Sequence, residues 1–171
     1  MPTNATIDRY ANYCLARVVE SGANTLTFAQ IQTGISLFDK VAWVINRIEW
    51  SVDIVATDTG ADNDYLNYGL STSNSWTTPS IMEQTILDFN SLILRSYSQV
   101  GVEYQYQPLV KDFSQLPGGG ILAPPTPLFV WAKGNGLGSA QTVTARMMYT
   151  VLSLKPEEYW ELVESRRVIT T

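Results

Sequence analysis

NRIEWSVDIVA, residues 46–56, decides how this chain is read. Ile48, Trp50, Val52 and Ile54 alternate with Arg47, Glu49, Ser51 and Asp53. A two-residue period sorts the side chains of an extended strand onto two faces, here one apolar and one polar. A helix, with a period of about 3.6, would scatter the same residues around its axis. SLFDKVA, residues 36–42, reads as a short helical turn capped by Ser36 just ahead of this strand.

QTVTARMMYTVLSL, residues 141–154, obeys the same rule. Val143, Ala145, Met147, Tyr149 and Val151 share one face; Thr142, Thr144, Arg146 and Thr150 share the other. The β-branched threonines and valines suit a pleated surface. Shorter strands are predicted at YLNYGLST (65–72), SLILRSYSQ (91–99), VEYQYQPLV (102–110) and PLFVWAK (127–133). CLARVVE (14–20) and LTFAQIQ (26–32) flank SGAN (21–24), which reads as a hairpin turn. Turn residues separate the strands at TDTGADND (57–64), SNSWTTPS (73–80), LPGGG (116–120), APPTP (123–127) and GNGLG (134–138). Eight or more short strands of this kind predict a mostly-β sandwich or barrel.

Two helices are predicted among them. SIMEQTILDF (80–89) opens with Ser80 and Glu83 at capping-box spacing. PEEYWELVESRR (156–167) has proline in its first turn, acids at its start and arginines at its end, all suited to a helix macrodipole. Tyr159, Leu162 and Val163 form its apolar stripe. Ile7, Tyr10, Cys14 and Val18 also fit one helix face, so residues 1–24 read as an N-terminal arm or an edge strand.

Composition narrows the function. The 171 residues (19.0 kDa) read as one domain, 1–171, able to bury its own core. Hydrophobic residues make up 45%, which argues against disorder. Charged residues are only 16%, against about 25% in an average soluble protein. That shortage fits a surface hidden against neighbours or coated in Ser, Thr and Asn. A net charge of −5 argues against grip on a phosphate backbone, and the densest basic spot is Arg166–Arg167. With no histidine and a single cysteine, Cys14, the chain excludes Ser-His-Asp and Cys-His catalysis, His-rich zinc sites and an internal disulfide. No cofactor is expected. MPTNATIDRY lacks the basic start and apolar core of a secretion signal, which leaves the Asn4 sequon without consequence. The greasiest stretch, ILAPPTPLFVWA (121–132), is too short and proline-rich to span a bilayer.

Three features could carry chemistry. Asp58-Thr59-Gly60-Ala61 after an apolar strand resembles the catalytic loop of retroviral-type aspartic proteases, which would pair two such aspartates across two chains. Its expected company is missing. The glycine cluster at 118–120 comes sixty positions on, and Thr57 stands where that family places a hydrophobe. Asp, Thr, Gly and Asn are turn residues, and a turn is the simpler reading. Asp58, Asp62 and Asp64 also offer oxygen ligands for calcium, without EF-hand spacing. The aromatics are plentiful, and Trp76 in a loop, with Tyr104 and Tyr106 on one strand face, could form a carbohydrate platform. In LPGGGILAPPTPLFV (116–130), three glycines and then three prolines look like shape, a stiff bend feeding a strand.

Taken in order, KVAWVINRIEWSVDI, DYLNYGLSTSN, VKDFSQLPGGGILAPPTPLFVWA and TARMMYTVLSLKPEEYWELVESR resemble single jelly-roll viral or phage capsid proteins, over residues 36–166. The resemblance implies one jelly-roll β-sandwich of about eight strands with two short helices, one at the C-terminus. It implies a non-enzymatic virion protein, assembled in the host cytoplasm, that contacts itself and other shell proteins. Gly118, Gly119, Gly120, Pro124, Pro125 and Trp160 are the expected contact residues. There is no basic arm for direct genome binding. The alternatives are a carbohydrate-binding sandwich centred on Trp76, Tyr104 and Tyr106, and a protease using Asp58.

Overall fold

A computed structural model describes residues 12–31, 41–53, 64–94, 108–124 and 126–167. Nine strands and one helix lie in these segments: β1 (Asn12–Val19), β2 (Thr27–Gln30), β3 (Val41–Asp53), β4 (Asp64–Ser71), β5 (Ile86–Leu94), β6 (Leu109–Asp112), β7 (Ile121–Ala123), β8 (Phe129–Asn135), β9 (Thr142–Ser153) and α1 (Pro156–Arg167). All strand pairings are antiparallel.

The pairings nest. β1 pairs with β9, β2 with β8, β3 with β6 and β7, and β4 with β5. A ribbon of nested pairs, rolled up and joined sideways through β9–β3 and β8–β4, gives two sheets ordered β1-β9-β3-β6/β7 and β2-β8-β4-β5. This is the jelly roll. The strands fill eight sheet positions because β6 and β7 share one, both lying along β3.

The alternation read from residues 46–56 holds as far as the described residues reach, to Asp53, with Ile54 outside them, and upstream it changes phase. Trp43 and Ile45 face the core, then Ile48, Trp50 and Val52 do. The register of β3 against β9 slips at Asn46, a bulge that absorbs one residue and flips the faces. Val18, Val143, Ala145 and Met147 complete the inner surface of that sheet; Leu66, Tyr68, Leu70, Val130 and Ala132 face it from the other. Burying each such aliphatic side chain contributes roughly 1.5–3 kcal/mol. Tyr149 is half-buried and stacks on Trp43, with ring centroids 4.1 Å apart.

Two expectations fail. SGAN does not turn a hairpin: β1 and β2 enter different sheets, so residues 20–26 form a corner. The corner is tied to the β8–β9 connection. The buried Glu20 carboxylate accepts the N–H groups of Gly134 (2.7 Å) and Gln141 (2.9 Å). Asn24, at φ 59°, donates to Leu137 O and accepts from Leu137 N–H, both at 2.9 Å. The second failure is the helix over 80–89. Ser80 O accepts Glu83 N–H and Glu83 O accepts Ile86 N–H, so two turns lead directly into β5. The Glu83 carboxylate holds Thr85 rather than closing a capping box. α1 forms as expected, with Tyr159 buried.

Candidate functional site

The buried acids serve the fold. Asp88 of β5 points inward and accepts from Trp50 Nε1 at 2.8 Å, Asn90 Nδ2 at 3.0 Å and Lys111 Nζ at 2.5 Å. Lys111 also donates to Phe89 O at 3.1 Å. Since β6 and β5 are edge strands of opposite sheets, this ion pair closes one open side of the sandwich. Asp64, the one calcium candidate among the described residues, is buried at the start of β4 beside Gly136. Among the described residues no three His, Cys, Asp or Glu side chains gather as a metal-ligand set. Asp58, Asp62, Tyr104, Tyr106 and Pro125 lie outside the described residues.

The surface carries the unusual features. On β1, Cys14, Ala16 and Val18 face the core while Tyr13, Leu15, Arg17 and Val19 face outward. Tyr13 is 70% exposed and Leu15 65%, on an edge strand. Beside them in the outer register lie Met148 and Arg146 of β9, then Arg47 and Glu49 of β3. Glu49 pairs with both Arg47 and Arg146. Burial pushes the Cys14 thiol up to about 11, keeping it a neutral, small hydrophobe.

At the opposite edge, residues 113–120 leave the sheet between β6 and β7. Asn46, the bulge, holds this excursion at both ends: its backbone O accepts Phe113 N–H at 2.7 Å and its Nδ2 donates to Gly119 O at 2.7 Å. Asp112 opens the excursion; the Ser114 hydroxyl and N–H hold its carboxyl below the usual range, with Arg47 acting in the same direction. Gly118 (φ 88°) and Gly119 (φ 78°) use left-handed backbone with open space around them. Gly120 and Pro124 are buried. A Cβ on Gly120 would sit 2.5 Å from Ile45 O. Of the expected contact residues, Gly118 and Trp160 are therefore the exposed ones, and Gly120 and Pro124 shape the loop from within.

Trp76 is half-buried rather than an exposed platform, because its loop folds back over the outer face of the second sheet. Its ring meets Phe28 at 4.8 Å and Trp131 at 5.0 Å, both edge-on. Trp131 lies over Gly69, whose missing side chain makes the room, and touches Phe89 at 5.6 Å. The indole N–H groups of Trp76 and Trp131 are buried without a hydrogen-bond partner.

Sequence reading missed two exposed apolar groups. Ile81 (79% exposed) and Met82 (82%) were assigned to a helix, but sit at the tip of the Ser80–Glu83 turn. Leu15 and Val19 fall in the predicted strand CLARVVE and Tyr13 in the N-terminal segment ahead of it, and none of them is singled out as exposed from the sequence; apolar residues on both phases of CLARVVE are the available signal.

No family model matches this chain, and no curated protein sequence does. Among solved structures it is similar to the unassembled pentamer of Merkel cell polyomavirus VP1, at 11% identity and TM-score 0.41 over 84% of this chain and 78% of that one. It is similar also to Merkel cell polyomavirus VP1 in complex with 3'-sialyllactosamine, at 12% identity and TM-score 0.39 over the same shares. Desmodium yellow mottle tymovirus follows at 7% identity and TM-score 0.34, covering 91% of this chain and 94% of that one.

Proposed function

We propose that this chain is a capsid subunit: a non-enzymatic jelly-roll tile that assembles with itself or with other shell proteins into a virion. The observation that carries the reading is the exposed apolar side chains Tyr13, Leu15, Ile81, Met82 and Trp160 on a sandwich that has its own buried apolar core. Exposed side chains of this size, on a chain with so few charges, call for a covering partner. The Gly118–Gly119 excursion, Trp160 and the outer face of β1 are the proposed contacts, and the virion formed in the host cytoplasm is the proposed location. Among the described residues no helix is long and apolar enough to cross a membrane. The reading is tested by light scattering on the purified chain and by negative-stain imaging, with and without co-expressed shell proteins. Regular assemblies are the expected result. A monomer at every concentration that no shell protein recruits would end it.

A second reading has one observation in its favour. Trp76, half-buried at the rim of an aromatic cluster with Phe28 and Trp131, would offer a sugar ring an apolar surface to stack on. A glycan array with wild type and Trp76→Ala decides it. A specific sugar signal lost in the variant supports a carbohydrate site, and silence from the wild type removes it.

A further inference from the structure

The exposed face of α1 and the outer face of β1 are complementary in both charge and apolar character. Glu157, Trp160, Glu161 and Glu164 are exposed and spaced i, i+3, i+4, i+7, so they share one face of the helix. Trp160 is 58% exposed in the middle of that acidic stripe. None of the three glutamates pairs with a described cation. Tyr159 is buried, which anchors the helix with this stripe turned outward.

The outer face of the β1–β9 pair has the opposite character. Tyr13, Leu15, Arg17 and Val19 project from β1; Thr144, Arg146 and Met148 project beside them from β9. These two strands carry two arginines and no carboxylate on that face. Arg17 is exposed and pairs with no described acid. Arg146 keeps half its side chain in solvent while it pairs with Glu49. In one chain Leu15 and Trp160 are both largely exposed.

We propose that the Trp160 face of α1 docks on the outer β1–β9 face of a second copy of this chain. Trp160 would seat among Tyr13, Leu15 and Met148, an aromatic anchor of the kind that carries most of an interface's energy. The flanking glutamates would meet Arg17 and Arg146 at the rim, setting the register of the contact. Because the two patches differ, the contact is heterologous. A pair joined by one such contact keeps one free patch of each kind, so association continues into a ring or an open array. The proposal rests on the capsid reading and adds which surfaces meet.

The test uses the full chain in analytical ultracentrifugation. The face variant is Leu15→Ser/Arg17→Glu and the helix variant is Trp160→Ala/Glu161→Lys; circular dichroism and melting check that both fold. Each alone should weaken self-association at least about thirty-fold. Mixed one to one they should form a dimer that grows no further, since each supplies the patch the other lacks. Trp160→Ala alone, which trims an exposed side chain, should weaken association in the same direction if either double variant melts early. Wild-type association should also weaken as salt is raised. If folded variants assemble as wild type does, or their mixture stays monomeric, this contact is wrong and the capsid reading stands. If wild type never associates with itself or with shell proteins, both fall.

Discussion

Asp88 is the residue on which three side-chain donors converge inside the sandwich. It holds the Trp50 indole, the Asn90 amide and the Lys111 ammonium, and so ties the middle of β3 and the edge strand β6 to β5. Asp88→Ala would take the carboxylate from the Trp50 indole N–H and leave the Lys111 ammonium with Phe89 O but without its counter-charge, in a largely buried site. We expect a loss of about 3–5 kcal/mol in urea unfolding, the range for breaking one partner of a buried pair. Lys111→Met should cost less than that, because Asp88 keeps two neutral donors and the methionine stem can still cover the sandwich's side. If Asp88→Ala unfolds at the wild-type midpoint, the closure assigned to it is wrong. Cys14 makes a pH argument at the same scale. Its ordinary value of 9.0 is raised to about 11 in the folded chain, so the folded state favours the neutral thiol. That preference is fully present below pH 9 and is lost as pH rises from 9 to about 11. Wild type should therefore lose stability faster than Cys14→Ala across that window, as read by denaturant melts at several pH values. Parallel curves would contradict it.

The elements show what was legible and what was not. β9 and the part of β3 from Arg47 onward were readable from their two-residue period, and β4, β8 and α1 from the residues at their ends. β5 was misread because its inner positions hold Asp88 and Asn90 while Phe89 faces out against Trp131. A strand with polar residues inside breaks the alternation that identifies strands, and the donors that satisfy the Asp88 carboxylate come from β3 and β6, away in sequence. The corner at 20–26 was misread for a related reason: local turn letters do not say which sheet each flanking strand joins. The bulge at Asn46 was invisible because apolar residues run from Val41 to Ile45 without alternation. Its role leads to an expectation. Gly120 begins the return from the excursion, and its missing side chain lets the backbone approach Ile45. Gly120→Ala places a methyl 2.5 Å from Ile45 O, so β7 must move off β3, at a cost of about 1–3 kcal/mol. Gly119→Ala meets open space and should cost only the strain of its positive φ, about 1 kcal/mol. Thermal melts of the two variants should rank in that order; equal melting points would mean the excursion, and not the close approach, sets the requirement for glycine.

At the scale of the whole molecule, nesting fixes how the chain must fold. The innermost pair, β4–β5, joins strands one loop apart, while the outermost, β1–β9, joins the first described strand to the last. Each outer pair closes a longer loop than the one inside it, and loop closure must be paid in entropy before the contacts return it. Asn12 meets Tyr149 and Val19 meets Thr142, so the final closure spans most of the chain. Refolding followed by the fluorescence of buried Trp43, Trp50 and Trp131 should therefore be slow, in the range of about milliseconds to seconds typical of β-sandwiches. The order of closure adds a sharper expectation. If β1 docks after the rate-limiting step, Val18→Ala removes a fully buried contact that the transition state does not yet have. Such a variant should unfold faster and refold at the wild-type rate. A slowed refolding arm with an unchanged unfolding arm would place β1 in the nucleus instead. Late docking would also suit an assembling tile: the strand that carries Tyr13, Leu15 and Arg17 would present its apolar outer face only once the rest of the sandwich has closed.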